Sequence, residues 1–230
     1  MLTKSAYFPG PAEPAFPRAP SSSPGTGIES LRCHVLQKVA GALQEASHGA
    51  TNIQAVVASV EIAREQITEL FGDFGALVDA LVDSLVLTML SPLQECESEE
   101  DFVRRLTAFG RRITDPYGLV QQRNLYRIAL TEAIRDAGRG QDLYARGPGR
   151  VLNGLTRFLA DSRNAGVLLQ GESRQLASHL LALLKGCSGL DDSFPPEEWK
   201  DSRPSRHVAS VIGQFLAGVQ LEMRHANPAF

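Results

Sequence analysis

NIQAVVASVEIAREQITELFG, residues 52–72, carries two apolar patterns separated by a short polar break. Ile53, Val56 and Val57 fall on one side of a short helix, and Thr51 followed by Gln54 supplies a capping-box signature at its start. Ile67 and Leu70 fall on one side of a second short helix, over about Ala63 to Leu70. The few residues between the patterns leave room only for a tight turn. Two short helices joined this way are the unit that sets a second, reading helix into the major groove of DNA. The side chains that could face a duplex are Thr51, Asn52, Gln54, Arg64, Gln66 and Thr68, of which Arg64 and Gln66 have the donors to read base edges. Glu61, Glu65 and Glu69 oppose that role by charge.

The neighbouring segments extend the helical pattern. Upstream, Ile28, Leu31, Val35, Leu36, Val39 and Leu43 recur at spacings of three and four and predict a first helix ending near Ser47-His48-Gly49. Downstream, Phe74 to Leu90 carries Leu77, Val78, Leu81, Val82, Leu85 and Met89 on a broad apolar face, stopped at Ser91-Pro92. A capping signal at Ser98 opens the next helix, with Phe102, Val103, Leu106 and Phe109 inward. Another starts at about Asp115, with Pro116 at its first position and Leu119, Leu125, Tyr126, Ile128, Leu130 and Ile134 as its stripe. Gly147-Pro148-Gly149 punctuates the stretch from about Gln141 to Asn164, which is one kinked helix or two. Ser173 to Lys185 and Arg206 to Met223 complete the set. No segment shows a strand period, so the expected fold is all-α with about nine helices. A three-helix domain at residues 28–73 precedes a larger helical domain at 74–230.

Residues 1–27 hold six prolines and no apolar run, and such a stretch reads as a disordered tail rather than a targeting segment. The whole chain has 230 residues, 43% of them hydrophobic, and a formal net charge of −3. That is enough apolar content for a sizeable core, with no global basic field to attract nucleic acid. Between Glu29 and Leu90 the imbalance is sharper, with eight Asp or Glu against Arg32, Lys38 and Arg64. Contact with DNA must therefore be local and sparing of phosphates. Cys33, Cys96 and Cys187 are far apart and odd in number, which fits a reduced, cytoplasmic protein. No stretch has the roughly 20 uninterrupted apolar residues of a membrane span. The five histidines show no metal-ligand spacing, and the glycines at 138, 140, 147 and 149 lack the lysine of a phosphate loop. No catalytic residue, metal or cofactor is expected, and the chain does not read as an enzyme.

Read without gaps, GATNIQAVVASVEIAREQITELFGDFGALVDALVDSL resembles the helix-turn-helix domain of TetR-type transcriptional regulators. Thr51, Ile53, Val56, Ile62, Ile67, Phe71, Gly72 and Leu77 fall on its structural positions, and the likeness covers residues 30 to 90. Farther on, LYRIALTEAIRD, LYARGPGRVLNGLTRFLADSRNAG and ASHLLALLKG resemble the ligand and dimer domain of the AefR-like branch. The resemblance implies a homodimeric repressor that binds operator DNA and responds to a small apolar effector, with no membrane partner. The effector pocket would be lined by Leu85, Met89, Phe102, Leu106, Phe109, Leu125, Leu155 and Phe158, with Arg123 or Tyr126 as orienting polar groups. Apolar excess on the last two helices places Leu176, Leu180, Leu183, Val211 and Phe215 at a dimer interface. The departures from the family pattern lie at the contact positions: Glu61-Ile62-Ala63 replaces Gly-Val-Ser, Thr68 replaces a phosphate-touching tyrosine, and Phe74 replaces the lysine that starts the fourth helix. Those departures leave a second reading, a TetR-fold ligand- or protein-binding partner that no longer binds DNA.

Overall fold

A computed structural model of the chain describes residues 24–46, 52–93, 99–164, 171–188 and 204–225. Among them every regular element is helical: α1 (Pro24–Glu45), α2 (Ile53–Ser59), α3 (Arg64–Phe71), α4 (Phe74–Leu90), α5 (Glu99–Ile113), α6 (Pro116–Arg135), α7 (Ala137–Tyr144), α8 (Arg150–Asn164), α9 (Ser173–Ser188) and α10 (Pro204–His225). A five-residue π turn, Ala145–Gly149, joins α7 to α8 without a loop. The punctuation at Gly147-Pro148-Gly149 thus widens a helix instead of ending it, because Pro148 has no N–H to donate and a π turn absorbs the missing bond. Counted as one rod, residues 137–164 bring the total to nine. The proline-rich stretch 1–23, the Ser98 cap and the loop before α10 lie outside the described residues.

One core runs through the chain. Val35, Val39 and Leu43 of α1 join Ile53, Val56, Val57, Ile67 and Leu70 of α2 and α3, and α4 carries that cluster onward through Leu77, Val78, Leu81, Val82, Val86 and Met89. Phe102, Leu106 and Phe109 of α5 and Leu155, Phe158 and Leu159 of α8 fill the centre of the larger part, where Phe102 and Phe158 stack with ring centroids 5.4 Å apart. Gly110 lets α5, α9 and α10 approach closely, since a Cβ there would lie 2.8 Å from Val208 Cγ1 and 3.2 Å from Leu184 Cδ2.

Helix α6 departs from its expected orientation. Tyr126, Leu130 and Ile134, expected inward, are 64%, 49% and 79% exposed. The buried face is instead Gln121, Asn124, Leu125 and Ile128. The cause is a polar docking contact. Asn124 Nδ2 donates to the carbonyls of Leu43 (2.7 Å) and Ala46 (2.9 Å), two acceptors that the end of α1 leaves without intrahelical partners. Gln44 Nε2 also donates to Gln121 Oε1 at 3.3 Å. A buried carbonyl left unpaired costs about 1–3 kcal/mol, so α6 turns this polar face, rather than its Tyr126 ridge, toward α1.

Candidate nucleic-acid interface

Helix α2 begins one residue later than the capping-box reading places it. Asn52 is the N-cap, extended in backbone, and its side chain accepts from Gln54 N at 2.8 Å. Thr51 lies outside the described residues. The far end of α2 closes in a Schellman arrangement: Glu61 N donates to Ala58 O (3.3 Å) and Ile62 N to Val57 O (3.5 Å). That motif needs a left-handed residue, normally glycine, just beyond the cap. Glu61 occupies the position at φ 55°, while Ile62 is buried as its apolar anchor. Ala63 then stands at the N-cap of α3 without a side-chain cap.

Within α3, Ile67 and Leu70 are buried and Gln66 half-buried, while Arg64, Glu65, Thr68 and Glu69 are exposed. The outward face therefore holds one cation against Glu61, Glu65 and Glu69. Thr68 Oγ1 donates back to Arg64 O at 3.1 Å, so that hydroxyl's proton is committed and only its lone pairs face outward. Gly72, at φ 94°, ends α3 with its N–H on Thr68 O. Asp73 then caps α4, accepting from Ala76 N at 2.7 Å. The sequence-predicted contact residues Asn52, Gln54, Arg64, Gln66 and Thr68 thus fall on α2 and α3, with Asn52 spent on its own helix.

The net acidity of residues 29–90 overstates the field at this face. Asp79 and Asp83 of α4 point the other way, into a cleft of about 520 Å³ lined also by Arg139, Asp142, Ala145, Arg146 and Arg150. Arg146 and Arg150 pair with Asp83 at 2.7 and 3.0 Å. Arg139 meets Asp79 at 2.7 Å and Glu132 at 3.1 Å, and it donates to Gly75 O at 2.9 Å. The Asp79 Oδ1 atom is buried and lacks hydrogen-bond geometry, so its contact with Arg139 is an ion pair rather than a directed bond. Asp79, ahead of Glu132, raises the Arg139 pKa further above its already high ordinary value. Sequence gave no signal for this cluster, because its members are spread over 72 positions. A local signal existed only for the placement of Arg139: Asp136 caps α7 by accepting from the N–H groups of Gly138 and Arg139.

The expected pocket and dimer residues sit as follows. Met89, Phe102, Leu106, Phe109, Leu125, Leu155 and Phe158 are buried in the common core, with Leu85 packed against it. Arg123 and Tyr126 are on the outer face of α6, away from that core, because Asn124 and Leu125 take the inward positions. Leu176, Leu180, Val211 and Phe215 are buried within the chain itself, where α9 and α10 pack on α5, and Leu183 is 46% exposed. No group of three metal-ligating side chains occurs among the described residues, and no described helix is long and apolar enough to cross a membrane.

Helices α1 to α3, in which α2 and α3 fold around a left-handed turn, continue through α4 into an all-helical remainder: this is the architecture of helix-turn-helix transcriptional regulators. Residues 104–218 match the family model described as the AefR-like transcriptional repressor, C-terminal domain, and the chain belongs to the TetR family. Two solved structures share the fold. One is a protein classed as a TetR-family transcriptional regulator from Mesorhizobium loti MAFF303099, with a TM-score of 0.55 and 18% identity over 83% of this chain and 96% of that one. The other is a protein of unknown function from Rhodococcus sp. RHA1, with a TM-score of 0.56 and 18% identity over 82% of this chain and 95% of the other. No curated protein matches the chain at a significant level.

Proposed function

We propose that the protein is a dimeric TetR-type repressor of the cytoplasm that holds operator DNA through α2 and α3 and releases it when a small apolar effector enters the body. The observation that carries this reading is the intact turn between α2 and α3, which leaves Arg64 and Thr68 exposed on one face while Ile62, Ile67 and Leu70 anchor it from behind. Domain boundaries near residues 28, 73 and 230 belong to the same proposal. The effector would open space among Phe102, Phe109, Leu155 and Phe158, with Leu85, Met89, Leu106 and Leu125 around them. Dimerisation would use the outer face of α9 and α10. Ala209, Gly213, Ala217 and Gly218 are exposed on α10, and a Cβ at Gly213 or Gly218 would meet nothing within 4 Å. A second copy could approach closely there.

The charge of the outward face favours the second reading, a TetR-fold ligand- or protein-binding partner without DNA. Selection of genomic fragments at low salt, followed by salt titration of the wild type and a Glu65→Lys, Glu69→Lys double variant, separates the two. A repressor retains specific fragments and binds every duplex more tightly once the two carboxylates are replaced. A protein that retains no fragment in either form has lost the function. Light scattering at micromolar concentration tests the dimer, and a monomeric mass would remove it.

A further inference from the structure

Arg64 is the first residue of α3, where the partial positive charge of a helix N-terminus disfavours a cation. Helix stability does not explain its presence. Its guanidinium carbon lies 5.7 Å from the centroid of the Phe74 ring. Arg32 on α1 lies in the same relation to Phe71, at 5.2 Å. The two rings flank the Gly72-Asp73 turn between α3 and α4, and both arginines are exposed. Neither forms an ion pair among the described residues, although Glu29, Glu61, Glu65 and Glu69 are close in sequence. Of the three Lys and Arg residues between Glu29 and Leu90, two are therefore held against aromatic rings that flank the α3–α4 turn.

A cation–π contact of this kind leaves recognition chemistry intact. The attraction is between the guanidinium charge and the ring, so its five N–H donors remain available to an anion. A lysine ammonium on a flexible stem lacks that planar fork of donors. We propose that Phe71 and Phe74 are positioning residues, which hold Arg32 and Arg64 as a pair of preoriented phosphate contacts on either side of the α3–α4 turn. The proposal rests on the DNA-binding reading above and adds the source of its phosphate contacts. An acidic face with few cations gains most from fixing those it has, because the entropy of ordering a long side chain is then lost on folding rather than on binding.

The test is a double-mutant cycle on a duplex recovered by the fragment selection, with binding measured from about 50 to about 200 mM salt, the range over which phosphate contacts separate. Phe74→Tyr keeps the ring and should bind as the wild type does. Phe74→Leu should weaken binding about two- to fivefold per half-site, the worth of an exposed cation–π contact. Arg64→Ala should make the slope of log affinity against log salt shallower by about 0.9 per half-site, and Phe74→Leu should then add nothing. The parallel pair is Phe71→Leu with Arg32→Ala. Melting by circular dichroism accompanies each variant, but a ring that only fills space would weaken binding equally with and without Arg64. That result, or wild-type affinity in Phe74→Leu, overturns the proposal and leaves DNA binding standing. A wild type that binds no duplex at any salt overturns both.

Discussion

Replacing Glu61 by glycine should stabilise this protein, although it deletes a side chain from a turn. Glu61 stands at φ 55° in the closing turn of α2, and an L-residue held in the left-handed region costs about 1–2 kcal/mol. Glycine escapes that cost but loses more backbone freedom on folding, an offset of about 0.5–1 kcal/mol. The balance is a gain of about 0.5–1 kcal/mol, equivalent to a rise of about 1–4 °C in a domain of this size. Glu61→Ala is the control: it removes the same carboxylate but keeps the strained backbone. Denaturant titration followed by circular dichroism should place Glu61→Gly above the wild type and Glu61→Ala at or below it. Both substitutions remove one negative charge from the outward face, so DNA affinity should rise equally in the two. Stability thus reads the backbone and binding reads the charge. Equal unfolding midpoints for the glycine and alanine variants would refute the strain assigned to this turn.

Asn124→Leu should lower stability by about 2–3 kcal/mol in denaturant titration, since it strands the buried carbonyls of Leu43 and Ala46 at the end of α1. Gly110→Ala should lower it by about 1–3 kcal/mol, because its methyl group would press on Val208 and Leu184 where α5, α9 and α10 converge; unchanged melting would mean that these helices separate freely. Asp101 is bonded to Arg105 at 2.6 Å and also to Arg104. The Arg105 bond foremost holds its carboxyl below the ordinary 3.8. A depressed carboxylate contributes stability above its unfolded value and loses it as pH falls through the folded one, so the contribution should fade only below pH 3.8. Carboxyl NMR titration should find Asp101 low in the wild type and returned toward 3.8 in Arg105→Gln.

The helix-turn-helix was legible because Ile53, Val56, Val57, Ile67 and Leu70 bury the faces that their spacing marks, so periodicity and burial coincide there. Helix α6 was legible in extent but not in orientation. Apolar periodicity selects Tyr126, Leu130 and Ile134, and it is blind to Asn124, whose donors are consumed by carbonyls 78 and 81 residues away. The same blindness hides the arginines that neutralise Asp79 and Asp83, so charge counted along the chain makes the head more acidic than its outward face is. Of the proposed contact residues, Arg64 was legible as a donor; that its guanidinium lies over Phe74 was not, because a cation–π contact leaves no trace in spacing. Apolar excess on α9 and α10 marked real burial, yet four of its five chosen residues serve the core of this chain.

The two tethers between head and body grow from opposite ends of one corner. Asn124, on α6, grips the end of α1, and Arg139, on α7, grips the first two turns of α4 through Gly75 and Asp79. A door hung on two hinges can swing only about the line that joins them. The head is held at both of these points, so a shift in the angle between α6 and α7 should pull on the end of α1 and the start of α4 together.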